Sequence, residues 1–164
     1  MRKHYTVTAS ATVEAPAEVV YAILADYHDG HPRILPRKYF TSLSVERGGR
    51  GDGTVIRFGM RAFGRTHESR AAVTEPEPGR VLREEVLGGA DVVTTFTVEP
   101  DGRRSRVTIS TRMGGPAGLR GLVERMMATK YLKRVYAAEL AQLKDFARKQ
   151  NGRLIIADWC AQQA

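Results

Sequence analysis

The architecture of this chain is indicated most clearly by residues 115–147, which read GPAGLRGLVERMMATKYLKRVYAAELAQLKDFA. Apolar or small side chains recur there at steps of three and four, the spacing of one face of an α-helix. They are Leu119, Leu122, Met126, Thr129, Leu132, Tyr136, Leu140, Leu143 and Ala147. This spacing predicts a helix of about 30 residues, longer than the average helix of a globular protein. Asn151 and Gly152 are typical of a helix end, so we expect residues 151–164 to form a separate short tail.

Six β-strands are predicted before this helix. Alternating or β-branched residues occupy 39–47, 54–60, 63–74, 81–87, 91–99 and 105–113. Several of the intervening segments contain turn-forming residues, namely GGRGDG at 48–53, EPEPG at 75–79, GGA at 88–90 and PDG at 100–102. Short connections of this kind join antiparallel neighbours, so the pattern predicts a meander of six strands.

The amino-terminal region adds one strand and two short helices. Residues 5–13 alternate strictly between apolar or small side chains and hydroxyl side chains, the pattern of a half-buried strand. Pro16 suits the first turn of a helix that we expect to end near Asp26, and Ile34 and Leu35 indicate a second, shorter helix. The order of elements predicts an α+β fold in which a seven-stranded antiparallel sheet curves around the apolar face of the carboxy-terminal helix.

The composition is that of an ordinary globular protein. Its 164 residues suit one domain, which we expect to span residues 1–150, with 151–164 as the tail. A hydrophobic fraction of 42% with 27% charged residues excludes disordered and collagen-like chains. Cys160 is the only cysteine, so neither an intramolecular disulfide nor a structural zinc site is expected. No apolar stretch is long enough for a signal peptide or a membrane-spanning helix, so we expect a cytoplasmic protein.

Positive charge is concentrated in the carboxy-terminal helix. The whole chain has 26 lysines and arginines against 18 acidic residues, and residues 117–150 contribute eight basic and three acidic side chains. A solvated helix face is the commoner explanation of such a run, and a phosphate-binding surface is the alternative. Because the sequence lacks clustered aromatic residues for base stacking, RNA binding through this surface is the less favoured hypothesis, and DNA binding is not expected.

Three stretches of the sequence carry a resemblance to a known family. They are VEAPAEVVYAILADYHDGHPRILP at 13–36, DVVTTFTVEPDGRRSRVTI at 91–109 and the helical segment at 115–147. They resemble the polyketide cyclase/dehydrase and lipid-transport family of the START-like, helix-grip superfamily. The resemblance implies a seven-stranded sheet that grips the long helix, with a cavity for a lipid, polyketide, quinone or similar hydrophobic molecule. Because some members of the superfamily bind the ribosome, the resemblance also implies a ribosome- or RNA-associated protein as a less favoured alternative. Neither a metal nor another cofactor is implied. His31 departs from the pattern, because many relatives have tryptophan after the first helix.

The apolar residues expected to line such a cavity come from the meander and from the helix. They are Ile56, Phe58, Met60, Phe96, Val98, Val107, Ile109, Met113, Leu122 and Met126. A plain packed core would use the same residues, so the expectation of a cavity comes from the family resemblance. Binding of one small hydrophobic molecule is the leading hypothesis on function. The tail at 151–164 could pack on this domain or mediate a homodimer.

Three residues are candidates for proton transfer if the chain is instead an aromatase or cyclase acting on a polyketide-like substrate. Alternate residues of a strand share a face, so His67 lies on the face of Ala71 and Glu84 lies on that of Leu82. Tyr39 is the third candidate. Imidazole, carboxyl and phenol groups can all donate or accept a proton, but each of these residues could equally be structural. Whether the chain is an enzyme is left open.

A histidine pair near the first helix invites a comparison with metal sites. His28 and His31 lie close to Asp26 and Asp29 in the sequence. No second cluster of histidine or cysteine accompanies them, so a solvated loop or the rim of a pocket is favoured over a metal site.

Overall fold

The computed structural model describes residues 3–163, which contain seven strands and three helices. The strands are β1 (Lys3–Val13), β2 (Phe40–Arg47), β3 (Val55–Ala62), β4 (Arg65–Glu77), β5 (Val81–Val86), β6 (Val92–Asp101) and β7 (Arg104–Gly115). The helices are α1 (Ala17–Ala25), α2 (Gly30–Ile34) and α3 (Gly118–Gln163). All strands pair antiparallel in the order β1-β7-β6-β5-β4-β3-β2. The predicted α+β, helix-grip architecture is confirmed.

The pairing of β1 with β7 joins the two ends of the sheet-forming sequence. Its register runs from Lys3 opposite Gly115 to Val13 opposite Ser105. Alternate residues of this ladder face opposite sides, so Val7 and Val13 are buried while Thr8 and Ser10 share hydroxyl hydrogen bonds with Ser110 and Thr108 on the exposed face. The alternation of apolar and hydroxyl residues along β1 therefore separates the core side of the sheet from the solvent side.

The core lies between the inner face of the sheet and the three helices. Its fully buried aliphatic side chains come from every layer: Val20, Leu24, Ile34, Leu82, Val98, Val107, Val135 and Leu143. Burying such a side chain completely contributes about 1.5–3 kcal/mol, so this cluster is the main source of stability. Together α1 and α2 close one end of the sheet, and α3 crosses its inner face.

The carboxy-terminal helix is longer than predicted. It continues through Asn151 and Gly152 and comprises 46 residues, so the predicted stop at these residues is wrong. A helix that ends on glycine usually places it in a left-handed conformation, whereas Gly152 has no positive φ. Each further helical residue adds a hydrogen bond, so asparagine and glycine weaken a helix locally without having to end it. The part of 151–164 that the structure describes is thus the end of α3, not a separate tail.

Only the middle of α3, about residues 131–147, is gripped by the sheet, and both its first and its last turns are exposed. Val135 and Leu143 are buried, whereas Leu119 is 79% and Met126 65% exposed. The apolar spacing that predicts the helix continues into its first turns, but these turns do not lie under the concave face. No helix among residues 3–163 is both long enough and apolar enough to cross a membrane.

We predict that Gly152→Ala increases helicity around residue 152 without loss of stability. Alanine is about 1 kcal/mol better than glycine inside a helix, and nothing lies within contact distance of a methyl group added there. Cα chemical shifts of residues 150–157 measure the effect. Gly102→Ala is the matched control: it also meets open space, but its φ of 62° should make the alanine destabilising by about 1–2 kcal/mol. A destabilising Gly152→Ala would contradict the continuous helix.

Candidate functional site

The sheet and α3 enclose a cavity with a volume of about 230 Å³. Strands β2 to β7 supply most of its wall, α2 and the segment after it supply His31 and Leu35, and α3 supplies Leu132, Val135, Tyr136 and Glu139. The neighbouring pairs Ile56–Ala71 and Phe58–Ser69 of β3 and β4 both face inward. Ser69 and Ala71 are small, so they leave space between the sheet and the helix.

The structure brings six of the predicted site residues together at this cavity. They are Ile56, Phe58, Met60, Glu84, Phe96 and Met113. Glu84 lies on the cavity side of β5, as does Leu82, which is fully buried. The inward direction of Glu84 that strand alternation indicates is therefore correct.

Five predicted lining residues lie elsewhere, which corrects that expectation. Val98, Val107 and Ile109 are fully buried in the core, because α1 packs on β6 and β7 and fills the space beside them. Leu122 and Met126 are exposed on the first turns of α3.

Two of the proton-transfer candidates also lie outside the cavity wall. His67 is paired with Met60 in the β3–β4 ladder but is exposed, because it lies beyond the covered part of β4. Tyr39 precedes β2 and contacts Tyr131 edge to face, with 5.7 Å between ring centroids. Glu84 is thus the only one of the three predicted catalytic residues on the cavity wall.

Glu84 is held by one side chain from the segment before α2 and one from α2 itself. The hydroxyl of Tyr27 donates a hydrogen bond to Glu84 Oε1 at 2.5 Å, and Nε2 of His31 lies 3.7 Å from the same oxygen. Nδ1 of His31 is 2.7 Å from the carbonyl oxygen of Leu24; a carbonyl only accepts, so Nδ1 carries the proton. The ring of Tyr27 stacks on that of His31. Burial raises the pKa of Tyr27 well above 10, and the negative charge of Glu84 adds to this effect.

A chain of hydroxyl groups forms a second part of the polar wall. Thr94 and Thr111 are opposite each other on β6 and β7, with their hydroxyl oxygens 2.8 Å apart, and the Thr111 hydroxyl is also hydrogen-bonded to that of Tyr136. Burial raises the pKa of Tyr136 above its usual value, so this phenol stays protonated. Thr94 on β6 also lies directly opposite Glu84 on β5, so the hydroxyl chain is next to the carboxylate.

Glu139 is the most unusual residue of the wall. It is 3% exposed, and its Oε1 finds no hydrogen-bond partner among the residues that the structure describes. Burial, followed by repulsion from Glu84, raises the pKa of Glu139 to about 8. A buried carboxylate without a partner is costly, so the group is mostly protonated at neutral pH. We call Tyr27, His31, Glu84, Thr94, Thr111, Tyr136 and Glu139 the polar cluster.

Most of the polar cluster is missed by reading the sequence, although one signal was present. Glu139 follows Leu132 by seven residues and Tyr136 by three, so it lies on the apolar face of α3 rather than on the charged one. Its charge suggests an exposed residue, and its spacing indicates a buried one. The sequence predicts a solvated loop or the rim of a pocket for His31, whereas the structure makes it a buried residue of the cavity wall that stacks on Tyr27.

The polar cluster does not have the form of a metal site. Within the described range 3–163, no group of three or more histidine, cysteine, aspartate or glutamate side chains is arranged to hold a metal ion. One ring nitrogen of His31 is already bonded to Leu24.

We predict that Glu139→Gln stabilises the protein increasingly as the pH rises. Below pH 4.5 the carboxyl is protonated in both the folded and the unfolded chain. Between pH 4.5 and about 8 the unfolded chain loses this proton while the folded chain keeps it, so folding stability falls as pH rises. The accumulated loss at pH 7 is on the order of 3 kcal/mol.

Urea unfolding of both proteins at pH 5 and pH 8 measures this difference. Glutamine keeps the volume of the side chain but has no proton to lose. The free energy of unfolding of the variant, relative to that of the wild type, should therefore be higher at pH 8 than at pH 5. Glu85→Gln, on the exposed face one residue after Glu84, is the control and should show no such gain. An equal pH dependence in wild type and Glu139→Gln would contradict the buried, protonated carboxyl.

Residues 4–148 match the family described as Polyketide cyclase / dehydrase and lipid transport. The solution structure of the KanY protein is similar, with a TM-score of 0.78 and 25% identity over 89% of this chain and 99% of that chain. A Zhui aromatase/cyclase from a Streptomyces species has a TM-score of 0.70 and 22% identity over 90% and 96%. A START superfamily protein from Mycobacterium smegmatis has a TM-score of 0.69 and 15% identity over 90% and 99%. A comparison with curated proteins gives no match.

Proposed function

Since the chain belongs to the Polyketide cyclase / dehydrase and lipid transport family, we propose that it binds one compact, largely apolar molecule between its sheet and α3. The observation that carries this proposal is the cavity itself, a concave apolar space of about 230 Å³ with a few converging polar groups. Such a combination is the usual form of a small-molecule site, in which apolar surface supplies affinity and a few polar groups fix orientation.

The size of the cavity favours a compact ligand over a long-chain lipid. Drug-sized ligands occupy clefts of about 300–1,000 Å³, and this cavity is below that range. A molecule with one or two fused rings suits the space between Phe58, Phe96 and Met113. A lipid with two acyl chains would require α3 to move away from the sheet.

A cyclase activity is the second candidate, and the properties of Glu139 favour it. A general acid or base works best when its pKa is close to the working pH, and the pKa of Glu139 is about 8. With Glu84 nearby, the cavity would hold one carboxyl that donates a proton and one carboxylate that accepts it. Neither His67 nor Tyr39 lines the cavity, so this alternative would depend on Glu84 and Glu139.

Binding of RNA through α3 is supported less well. Arg120 and Arg148 on this helix are already in ion pairs with Glu124 and Asp145, and Arg125 lies over the ring of Tyr5. These contacts are those of a solvated helix face, which is the commoner role of a basic run.

We predict that the neutral naphthalene dye prodan binds with a stoichiometry of one per chain, and that Phe96→Trp weakens its binding at least fivefold. Tryptophan at this position fills part of the cavity, where the ring of Phe96 meets that of His31 edge to face. Dye fluorescence measures affinity, and thermal unfolding checks that the variant is folded.

Met126→Trp is the matched control for this experiment. Met126 is exposed on α3 and does not line the cavity, so the same substitution there should leave dye affinity unchanged. Failure of prodan to bind the wild type, or equal affinity in wild type and folded Phe96→Trp, would reject the cavity as the binding site.

A further inference from the structure

The polar cluster contains two carboxyl groups and no permanent cation. Glu84 and Glu139 both line the cavity, and no lysine or arginine lines it among residues 3–163. Most buried carboxylates in proteins are paired with a basic side chain, because an unpaired buried charge is costly. The sequence is rich in arginine, with a net charge of +8, so the lack of a lysine or arginine here is specific to the cavity.

The unpartnered oxygen of Glu139 indicates that something other than this chain completes the cluster. Glu139 lines the cavity, and its Oε1 is buried and has no hydrogen-bond partner among the described residues. Glu84 Oε1 accepts one hydrogen bond, from Tyr27. A carboxylate has about four acceptor sites, so acceptor capacity in the cluster exceeds the donors around it.

We propose that the polar cluster recognises a protonated amine, so that the ligand of this chain is a compact ring system bearing a cationic nitrogen. This inference rests on the proposed function, because it names the class of molecule that the cavity would hold. An ammonium group provides three hydrogen-bond donors and one positive charge, which complement the carboxylate of Glu84, Oε1 of Glu139 and the Tyr136 hydroxyl. The ring of Phe96 on the same wall can also attract a cation.

Other ligand classes fit these groups less well. A carboxylate ligand would approach Glu84 with no lysine or arginine on the wall to offset the repulsion, and like charges at close range in a buried site are strongly unfavourable. A neutral alcohol could donate only one hydrogen bond and would leave the remaining acceptors without donors. A protonated amine is therefore favoured over both.

Proton release provides a signature of this binding mode. The groups that face Glu139 are Glu84 on β5, His31 on α2, Tyr27 before α2 and Tyr136 on α3 itself. A cation held beside Glu139 favours its ionised form, so binding of an amine should expel the carboxyl proton. Affinity for the amine should then rise with pH until Glu139 is ionised without ligand, while affinity for a neutral analogue should not rise.

The experiment compares three naphthalene probes that share one ring system: naphthylmethylamine, naphthalenemethanol and naphthoate. At pH 7 we expect the amine to bind at least tenfold more tightly than the alcohol, and naphthoate to bind most weakly. Calorimetry in phosphate and in Tris, whose ionisation enthalpies differ, should show between half a proton and one proton released per amine bound. Between pH 6 and pH 8.5 the amine affinity should increase at least tenfold, and more as proton release approaches one per amine.

Two variants assign these effects to the two carboxyl groups. Glu84→Gln should reduce amine affinity about tenfold and leave alcohol affinity within twofold, whereas Glu85→Gln, on the opposite face of β5, should change neither. Glu139→Gln should abolish proton release and most of the pH dependence. If a variant fails to fold, the wild-type selectivity and proton release still decide the question.

The outcomes separate this inference from the proposed function. Equal or tighter binding of the alcohol or of naphthoate, or amine binding without proton release, would overturn amine recognition while leaving the cavity as a ligand site. Failure of all three probes and of prodan to bind would overturn both. If prodan binds, and if the amine displaces it while the alcohol and naphthoate do not, the result supports both the cavity as a ligand site and amine recognition.

Discussion

The packing of the middle of α3 against one side of the sheet determines the rest of the molecule. This helix makes its main strand contacts with β1 and β7, which lie together at one edge of the strand order. Val135 and Leu143 are buried by these contacts. The strands farther along the order, β2 to β5, curve around the helix at a greater distance. Side chains on β3 and β4 do not fill that gap, so a cavity forms in an interior that would otherwise be close-packed.

Strands β6 and β7 contribute to the packed core at one end of their ladder and to the cavity wall at the other end. The pair Val98–Val107 is fully buried beside α1, while the pairs Thr94–Thr111 and Val92–Met113 face the cavity from farther along the ladder. Phe96 lies at the boundary, because it lines the cavity although its partner Ile109 does not. The position of α1 therefore decides where the packed core ends and the binding space begins.

This boundary explains how far the sequence alone could predict the site. Residue alternation and turn residues are local properties, and they were sufficient for the meander from β2 to β7 and for the inward direction of Glu84, but not for the pairing of β1 with β7. Alternation gives Val98, Phe96 and Thr94 the same face, however, and it cannot say which of them α1 covers. The same limit applies to His67, which shares a face with Ala71 but lies beyond the covered part of the strand. Distances between elements settle these cases, and they are tertiary properties.

The helix boundary and Glu139 were missed for a different reason. Asn151 and Gly152 have low helix propensity, but the cost is too small to end a helix, and α3 continues to Gln163. The prediction therefore gave a local preference too much weight. Glu139 has the reverse character, because its type indicates exposure while its position on the apolar face of α3 indicates burial. Position was the better guide, since a rigid helix cannot expose one residue of a gripped face.

A buried Glu139 is unfavourable for folding, which makes its placement informative. An apolar side chain of similar volume at this position would avoid the loss of stability near neutral pH, and replacing buried charged groups in this way is often neutral or stabilising. The chain instead places an acid with a pKa of about 8 on the wall of its cavity, next to a second carboxylate. Titratable groups with strongly shifted pKa values cluster at functional sites, because binding or catalysis requires them there although they reduce folding stability. A bound cation would satisfy both carboxylates at once, and the group that is unfavourable for folding would then determine ligand selectivity.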